Sequence, residues 1–215
     1  IDRSIIVVVI KGAGPGFSAG HDLKEMQNHK NEVFFRNFFE QCSTLMQSII
    51  KLPQPVIAQI HGTAAAAGCQ LVATCDLAIA STTAKFATPG VNIGLFCSTP
   101  MVAVSRKLPR KKMMEMLLMG DLVDAETALE FGLINRVVPY KQLEETVSNY
   151  VNKIREKSPL VLKIGKEAFY NQIDMTLADA YKYTAEVMTQ NMLVQDANEG
   201  INAFIEKRAP TWTGK

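Results

Sequence analysis

Two stretches of small residues carry the chemistry this chain can offer. The first is "GPGFSAGHDL" at residues 14–23, and the second is "HGTAAAAGCQL" at residues 61–71. Small side chains let a ligand approach backbone N–H groups. Two such loops, each following a buried strand, can each point one N–H at the same oxygen. That is an oxyanion hole, and a helix N-terminus reinforces it through its dipole. The same residues serve equally well for close packing of two backbones with no ligand at all.

The first loop also matches two catalytic patterns, and both fail on context. Gly14 to Ala19 fits G-x-G-x-x-G/A, but a dinucleotide fingerprint needs its glycines in the tight turn that opens a long helix. Here Pro15 sits between the glycines and the following helix is short. Gly16 to Gly20 fits G-x-S-x-G, yet a nucleophile elbow needs its serine directly off a strand. "KGAGPG" separates Ser18 from the strand, and the histidines, His21, His29 and His61, all come early, whereas that triad places its histidine last.

The elements that must hold these loops follow from periodicity. "IIVVVI" at residues 5–10 reads as a strand buried on both faces. "HDLKEM" reads as a short helix capped by Asp22. Residues 32–51 form a helix with Phe34, Phe38, Cys42, Leu45 and Ile49 on one stripe, read as core. "VIAQIHG" is a second strand, the segment after Ala64 a helix, "DLAIAS" a third strand and "KFATPGVNIG" a fourth extended piece. Residues 101–119 are helical with an interruption at Pro109. Asp124 caps a helix that Gly132 stops, and "INRVVP" is a short strand. From Gln142 the chain is helical, broken at Ser158-Pro159 and near Asp174. Strands alternating with helices argue for an α/β layer with parallel strands.

Composition bounds the rest. The 215 residues are 47% hydrophobic and 20% charged, as in one globular domain with a smaller appendage. A formal net charge of +2 gives no reason to expect nucleic acid or an anionic membrane as partner. The basic run "RKLPRKK" at residues 106–112 reads as a solvated loop and helix start. Cys42, Cys69, Cys75 and Cys97 form no CxxC pair and have no histidine cluster beside them, so neither a metal site nor a disulfide framework is expected. No apolar run is long enough to span a bilayer. The chain opens on what reads as a strand already under way, so a targeting segment would lie ahead of Ile1.

Taken together, the segments resemble the crotonase, or enoyl-CoA hydratase/isomerase, superfamily. "FSAGHDLKEM" resembles its F-x-A-G-A-D-L/I loop, and "IHGTAAAAGCQLVATCDLAIAS" resembles N-G-x-A-x-G-G-G-x-E-L…C-D. "AKFATPGVNIGL" resembles A-x-F-x-x-P-E-x-x-x-G. "LLMGDLVDAETALEFGLINRVVP" and "AFIEKR" match later family segments. The resemblance implies an α/β spiral of β-β-α turns rather than the doubly wound sheet that periodicity alone suggests. It divides the chain into a spiral core, residues 1–140, and a helical C-terminal region, residues 141–215, that covers the active site and forms trimers or dimers of trimers. It implies mitochondrial lipid metabolism, an acyl-CoA ligand and no separate cofactor.

Carried over residue by residue, the resemblance puts the oxyanion N–H groups on His21 and Ala67. It puts CoA contacts along Ala19, Gly20, His21, Asp22 and Leu23, with Lys207 and Arg208 near the phosphates. The His21 side chain either contributes its imidazole or is an exposed loop histidine. Ala67 stands where the family has glycine, so its methyl either crowds the ligand or is accommodated at negative φ. The family's two catalytic glutamates fall on Gln70 and Gly90. Gln70 holds a water but cannot take its proton near neutral pH, and Gly90 offers nothing. Losing acid–base help worth roughly 10²–10⁴-fold removes useful hydration. The next loop supplies Asn92, Cys97 and Ser98 but no carboxylate, and Asp76 reads as structural. Three functions remain: an acyl-CoA-binding protein that has lost hydration, an enzyme on an unusual acyl-CoA using the oxyanion hole, or an oligomeric interaction protein. On this reading Gln70→Glu with Gly90→Glu restores crotonyl-CoA hydration.

Overall fold

The computed structural model describes residues 4–215. Strands β1 (Val8–Lys11), β2 (Val56–Ile60), β4 (Leu77–Ser81) and β7 (Arg136–Val138) form one sheet in the order β1-β2-β4-β7. β2 runs parallel to β4 from Ile57 against Leu77, and β4 runs parallel to β7 from Ile79 against Arg136. A second sheet joins β3 (Ala64–Ala65), β5 (Lys85–Ala87) and β6 (Val123–Asp124). Its first pair is parallel and its second antiparallel. This two-sheet arrangement departs from a single doubly wound sheet. The short β3, only two residues past the turn that follows β2, diverts the chain to the second sheet before α3 (Ala67–Thr74) begins.

Burial follows sheet position. Central β2 is buried at every residue, and Val56, Ile57, Ala58 and Ile60 have no exposed surface. β1 corrects the reading of residues 5–10. The strand starts only at Val8, Ile5 is 48% exposed and Val9 37%, and among the described residues β1 pairs on one side only, with β2. A continuous β-branched run therefore marks strand propensity here, not burial on both faces.

The caps behave as side-chain chemistry dictates. Asp22 accepts the N–H groups of Lys24 and Glu25 at 2.8 and 3.4 Å and starts α1 (Leu23–Asn28). Asp124 accepts the Thr127 N–H at 2.8 Å and starts α6 (Ala125–Glu130). Ser158, with Pro159 in the first turn, starts α8 (Pro159–Gln172). Asp76 is structural: it accepts the Val56 N–H at 2.7 Å and donates its own N–H to the Val56 carbonyl at 3.0 Å, pinning the starts of β2 and β4 together.

The chain divides into two compact units. One comprises residues 9–50 and 56–148 and holds α2 (Glu32–Lys51) up to Ile50, α3, α4 (Ser98–Val104) and α5 (Arg110–Met119). The other comprises residues 1–8, 51–55 and 149–215. Within it, α8, α9 (Leu177–Met192) and α10 (Gln195–Glu206) pack on one another. The Asp196 side chain, 1% exposed, gathers the Ser158 hydroxyl at 2.5 Å, the Thr213 N–H at 2.7 Å and hydroxyl at 3.0 Å, and the Gly214 N–H at 3.0 Å. The break between α9 and α10 at Leu193-Val194 carries no glycine or proline and escapes sequence reading.

Candidate active site

The two small-residue loops meet. Phe17 and Ser18 donate their N–H groups to the Thr63 carbonyl at 2.9 and 3.1 Å, and Ala65 donates to the Ser18 carbonyl at 2.9 Å. A parallel bridge pairs Ser18 with Ala64. The approach is closest at Gly68, where a Cβ would stand 2.2 Å from the Ser18 carbonyl oxygen. Only glycine fits there. At Gly20 a Cβ would lie 3.1 Å from the Ala67 N, so the residue before His21 rests against the first N–H of α3. α3 has no side-chain cap. Among the described residues neither the His21 N–H nor the Ala67 N–H has a protein acceptor. Uncapped N–H groups at a helix start are free to bind an anionic oxygen.

The conformational strain falls one residue before the expected place. Ala67 is the first helical residue, so its methyl is accommodated at negative φ. Ala66 instead adopts φ 50° and ψ −117°, a region costly to a residue with a Cβ. That turn brings Ala66 N–H onto the Ala87 carbonyl at 3.0 Å and starts α3 at the loop junction.

A cavity of about 390 Å³ opens here, lined by Ser18, Gly20, His21 and Ala67 from the loops, by Phe38, Gln41, Cys42, Leu45 and Met46 from α2, and by Leu71 from α3. The α2 stripe read as core is thus in part a cavity wall: Met46 and Ile49 are buried, whereas Leu45 is 52% exposed. Helical periodicity shows which residues share a face; it does not show whether that face meets protein or a void. His21 is half-buried, its ring 4.7 Å from the Phe38 ring and 5.7 Å from the Phe39 ring. Burial lowers its pKa below the usual histidine value, which favours the neutral imidazole. The Ser18 hydroxyl accepts the Gly20 N–H at 3.3 Å and bonds to no histidine among the described residues, which leaves it without a base.

Gln70 lies behind the wall. It is 4% exposed, and the Cys42 thiol reaches its Oε1 at 3.9 Å. Gly90 does not line the cavity and is not an empty position. Its N–H donates to the Cys97 Sγ at 3.3 Å, and its carbonyl accepts the Leu95 N–H at 2.9 Å. A Cβ at Gly90 would meet the Leu95 carbonyl oxygen at 2.9 Å and the Cys97 Sγ at 3.0 Å. A side chain at residue 90 therefore requires the Leu95 carbonyl and the Cys97 sulfur to shift, so Gly90→Glu does more than add a carboxylate.

Of the other sequence candidates, Ala19, Asp22 and Leu23 are exposed, and the Asp22 carboxylate is occupied as a helix cap. Asn92 donates to the Gly120 carbonyl at 3.2 Å, and Ser98 donates to the Phe96 carbonyl at 3.3 Å. In the C-terminal unit Lys207 is exposed and ends α10 with φ 56°. Arg208 is engaged by carboxylates, with Glu199 at 2.6 and 2.9 Å and Glu206 at 2.6 Å. Its guanidinium is therefore committed within its own unit.

Fold and loop geometry place the chain in a class, and comparison with known proteins agrees. The enoyl-CoA hydratase/isomerase family model matches residues 1–215, and the chain belongs to that family. Mitochondrial enoyl-CoA hydratase domain-containing protein 3 of Rattus norvegicus is 47% identical over 207 residues, covering 96% of this chain and 69% of the relative. The crystal structure of the human enoyl-CoA hydratase domain-containing protein 3 superposes with TM-score 0.96 at 45% identity, covering 98% of this chain and 83% of that one. An enoyl-CoA hydratase of Mycobacterium smegmatis superposes with TM-score 0.97 at 46% identity, covering 98% of this chain and 82% of that one. The fold is accordingly the crotonase fold.

Proposed function

We propose that this chain binds an acyl-CoA thioester through the His21 and Ala67 N–H groups and does not hydrate it. The thioester carbonyl sits at the two N–H groups, the acyl chain lies along Phe38, Leu45, Met46 and Leu71, and CoA follows the backbone of residues 19–23. One observation carries the reading: among the described residues, the cavity at the uncapped start of α3 is lined by no carboxylate, lysine or arginine. Donors of this kind contribute roughly 3–4 kcal/mol where negative charge develops on the oxygen. They also bind a ground-state carbonyl, and neither function requires a titrating group. Addition of water across an enoyl double bond does require one, to remove a proton from water and to deliver one to the α-carbon. The neutral amide of Gln70 supplies neither, and among the described residues the neutral His21 imidazole is the one group lining the cavity that could take a proton.

The names of its relatives support a mitochondrial location, and a role in lipid metabolism follows from the acyl-CoA reading. Self-association into trimers or dimers of trimers is supported by apolar side chains left in the open on α9 and α10, where Leu177 is 76% exposed and Phe204 85%. Calorimetric titration with a series of acyl-CoAs tests the reading. Binding that Ala67→Pro abolishes, by removing one N–H, supports it. Absence of heat at millimolar acyl-CoA overturns it.

A further inference from the structure

The three histidines are held in different ways. His29 Nδ1 bonds to the Glu25 carbonyl at 3.0 Å, and His61 Nε2 to the Gly14 carbonyl at 2.9 Å. Among the described residues, neither nitrogen of the His21 ring has a hydrogen-bond partner. That ring is held by aromatic contacts instead, 4.7 Å from Phe38 at an interplanar angle of 58° and 5.7 Å from Phe39 at 70°. His21 and Phe38 both line the cavity, together with Ala67. An imidazole held in this way keeps both nitrogens for a ligand. The charged and titratable groups around it are already committed. The adjacent Asp22 carboxylate caps α1, and on the α2 wall burial raises the Cys42 pKa, so that thiol stays protonated.

We propose that the His21 imidazole is a catalytic base that removes a proton from the α-carbon of the bound acyl thioester, giving the chain an α-proton exchange activity. The proposal deepens the acyl-thioester reading and rests on it. The C–H bond of the acyl α-carbon breaks, and its electron pair forms a double bond to the carbonyl carbon. The carbonyl π pair moves onto the oxygen, where the His21 and Ala67 N–H groups stabilise the charge. The imidazole holds the proton, exchanges it with solvent and returns one to the α-carbon. The acyl-CoA is regenerated and nothing is consumed. A residue that binds the carbonyl oxygen through its own backbone carries its side chain to the neighbouring carbon. The Phe38 contact lays the imidazole along the wall assigned to the acyl chain. Burial keeps the ring in its neutral form, the one that accepts a proton. One base suffices for exchange. Hydration also needs a water held at the β-carbon, and the apolar Leu45, Met46 and Leu71 along the acyl path hold none.

The test incubates the full chain with butyryl-CoA in D₂O. Proton NMR follows the α-methylene signal, a thiol reagent follows free CoA, and calorimetry gives the Kd. The expected result is loss of the α-methylene signal faster than in a protein-free blank, with no CoA released. His21→Ala keeps the backbone N–H and removes the base. It is expected to bind butyryl-CoA still and to exchange its α-protons roughly 10²-fold more slowly. His21→Phe also keeps the N–H, preserves ring packing against Phe38 and Phe39, and is expected to show the same loss, so the result does not depend on the alanine variant folding. Exchange no faster than the blank in a protein that binds butyryl-CoA overturns the proposal. Exchange that survives both substitutions overturns it as well. Release of free CoA in place of exchange assigns the imidazole to water and likewise overturns it. Failure of the unsubstituted protein to bind butyryl-CoA overturns the thioester reading, and the proposal falls with it.

Discussion

Gln70 and Asp196 are both buried polar side chains on helices, 4% and 1% exposed, and they are treated in opposite ways. Asp196 is a charge surrounded by donors. Burial pushes its pKa up, but hydrogen bonds from Ser158, Thr213 and Gly214 outweigh burial and hold the carboxyl below its ordinary value. Gln70 is a neutral amide whose side chain meets one weak thiol donor. The protein thus builds a full shell where it keeps a buried carboxylate, and at the cavity it keeps neither the charge nor the shell. The half-buried Glu199 of the C-terminal unit is also held by donors: hydrogen bonds from Arg208 and the Thr211 N–H lower its pKa to about 2. Burial alone does not make a polar group catalytic. What decides is whether the surrounding donors are used up in holding it or are left free for a ligand, as they are at the uncapped start of α3.

The comparison breaks first at the loop junction. Gly68→Ala drives a Cβ to 2.2 Å from the Ser18 carbonyl, and relief requires separating the two loops. We expect a loss of about 3 kcal/mol or more in denaturant unfolding. Asp196→Ala comes next, at about 2–3 kcal/mol, because it strands the donors it now satisfies, whereas Gln70→Leu costs less than about 1 kcal/mol. Equal losses for the two would erase the contrast.

The pH dependence follows from the same shells. The Asp196 carboxyl is depressed in the folded state, so its contribution is complete above the ordinary value of 3.8 and is lost as pH falls through the folded value. Asp196→Ala flattens stability in that acid range. His21 behaves differently. Its folded pKa lies below the ordinary 6.5, so the unfolded chain binds the proton first and stability falls as pH drops below 6.5. His21→Phe removes that slope, and urea unfolding at pH 7 and pH 5.5 measures it. One effect is a gain. Ala66→Gly relaxes the positive φ of 50° and raises stability by about 1 kcal/mol.

Much of this was legible in the residues. Asp22 and Asp124 announced helix starts, and Ser158-Pro159 a helix break, by chemistry that acts within three residues of sequence. The 20-residue α2 announced itself by its period. The small-residue loops announced a close approach, and the departures at Gln70 and Gly90 were visible once the family's pattern was laid over them. What stayed hidden depends on contacts distant in sequence. Nothing local separates Ala66 from its neighbours in "AAAA", yet it alone takes the positive φ. The α2 stripe does not reveal that a cavity faces Phe38 and Cys42. Gly90 read as an omission because glycine has no side chain to question, and only the Leu95 carbonyl and the Cys97 sulfur, five and seven residues later, show that the space around it is crowded. The helix break at Leu193-Val194 leads into α10, where Asp196 is held by Ser158 and Thr213, residues 38 and 17 positions away.

The central claim is binding without hydration, and one spectrum tests it. Proton NMR of crotonyl-CoA mixed with the full chain reports both events at the acyl methyl group. The account predicts broadening of the crotonyl methyl signal and no appearance of the 3-hydroxybutyryl methyl signal beyond the protein-free blank. A growing 3-hydroxybutyryl signal, or a crotonyl methyl line as sharp as in buffer, would contradict it.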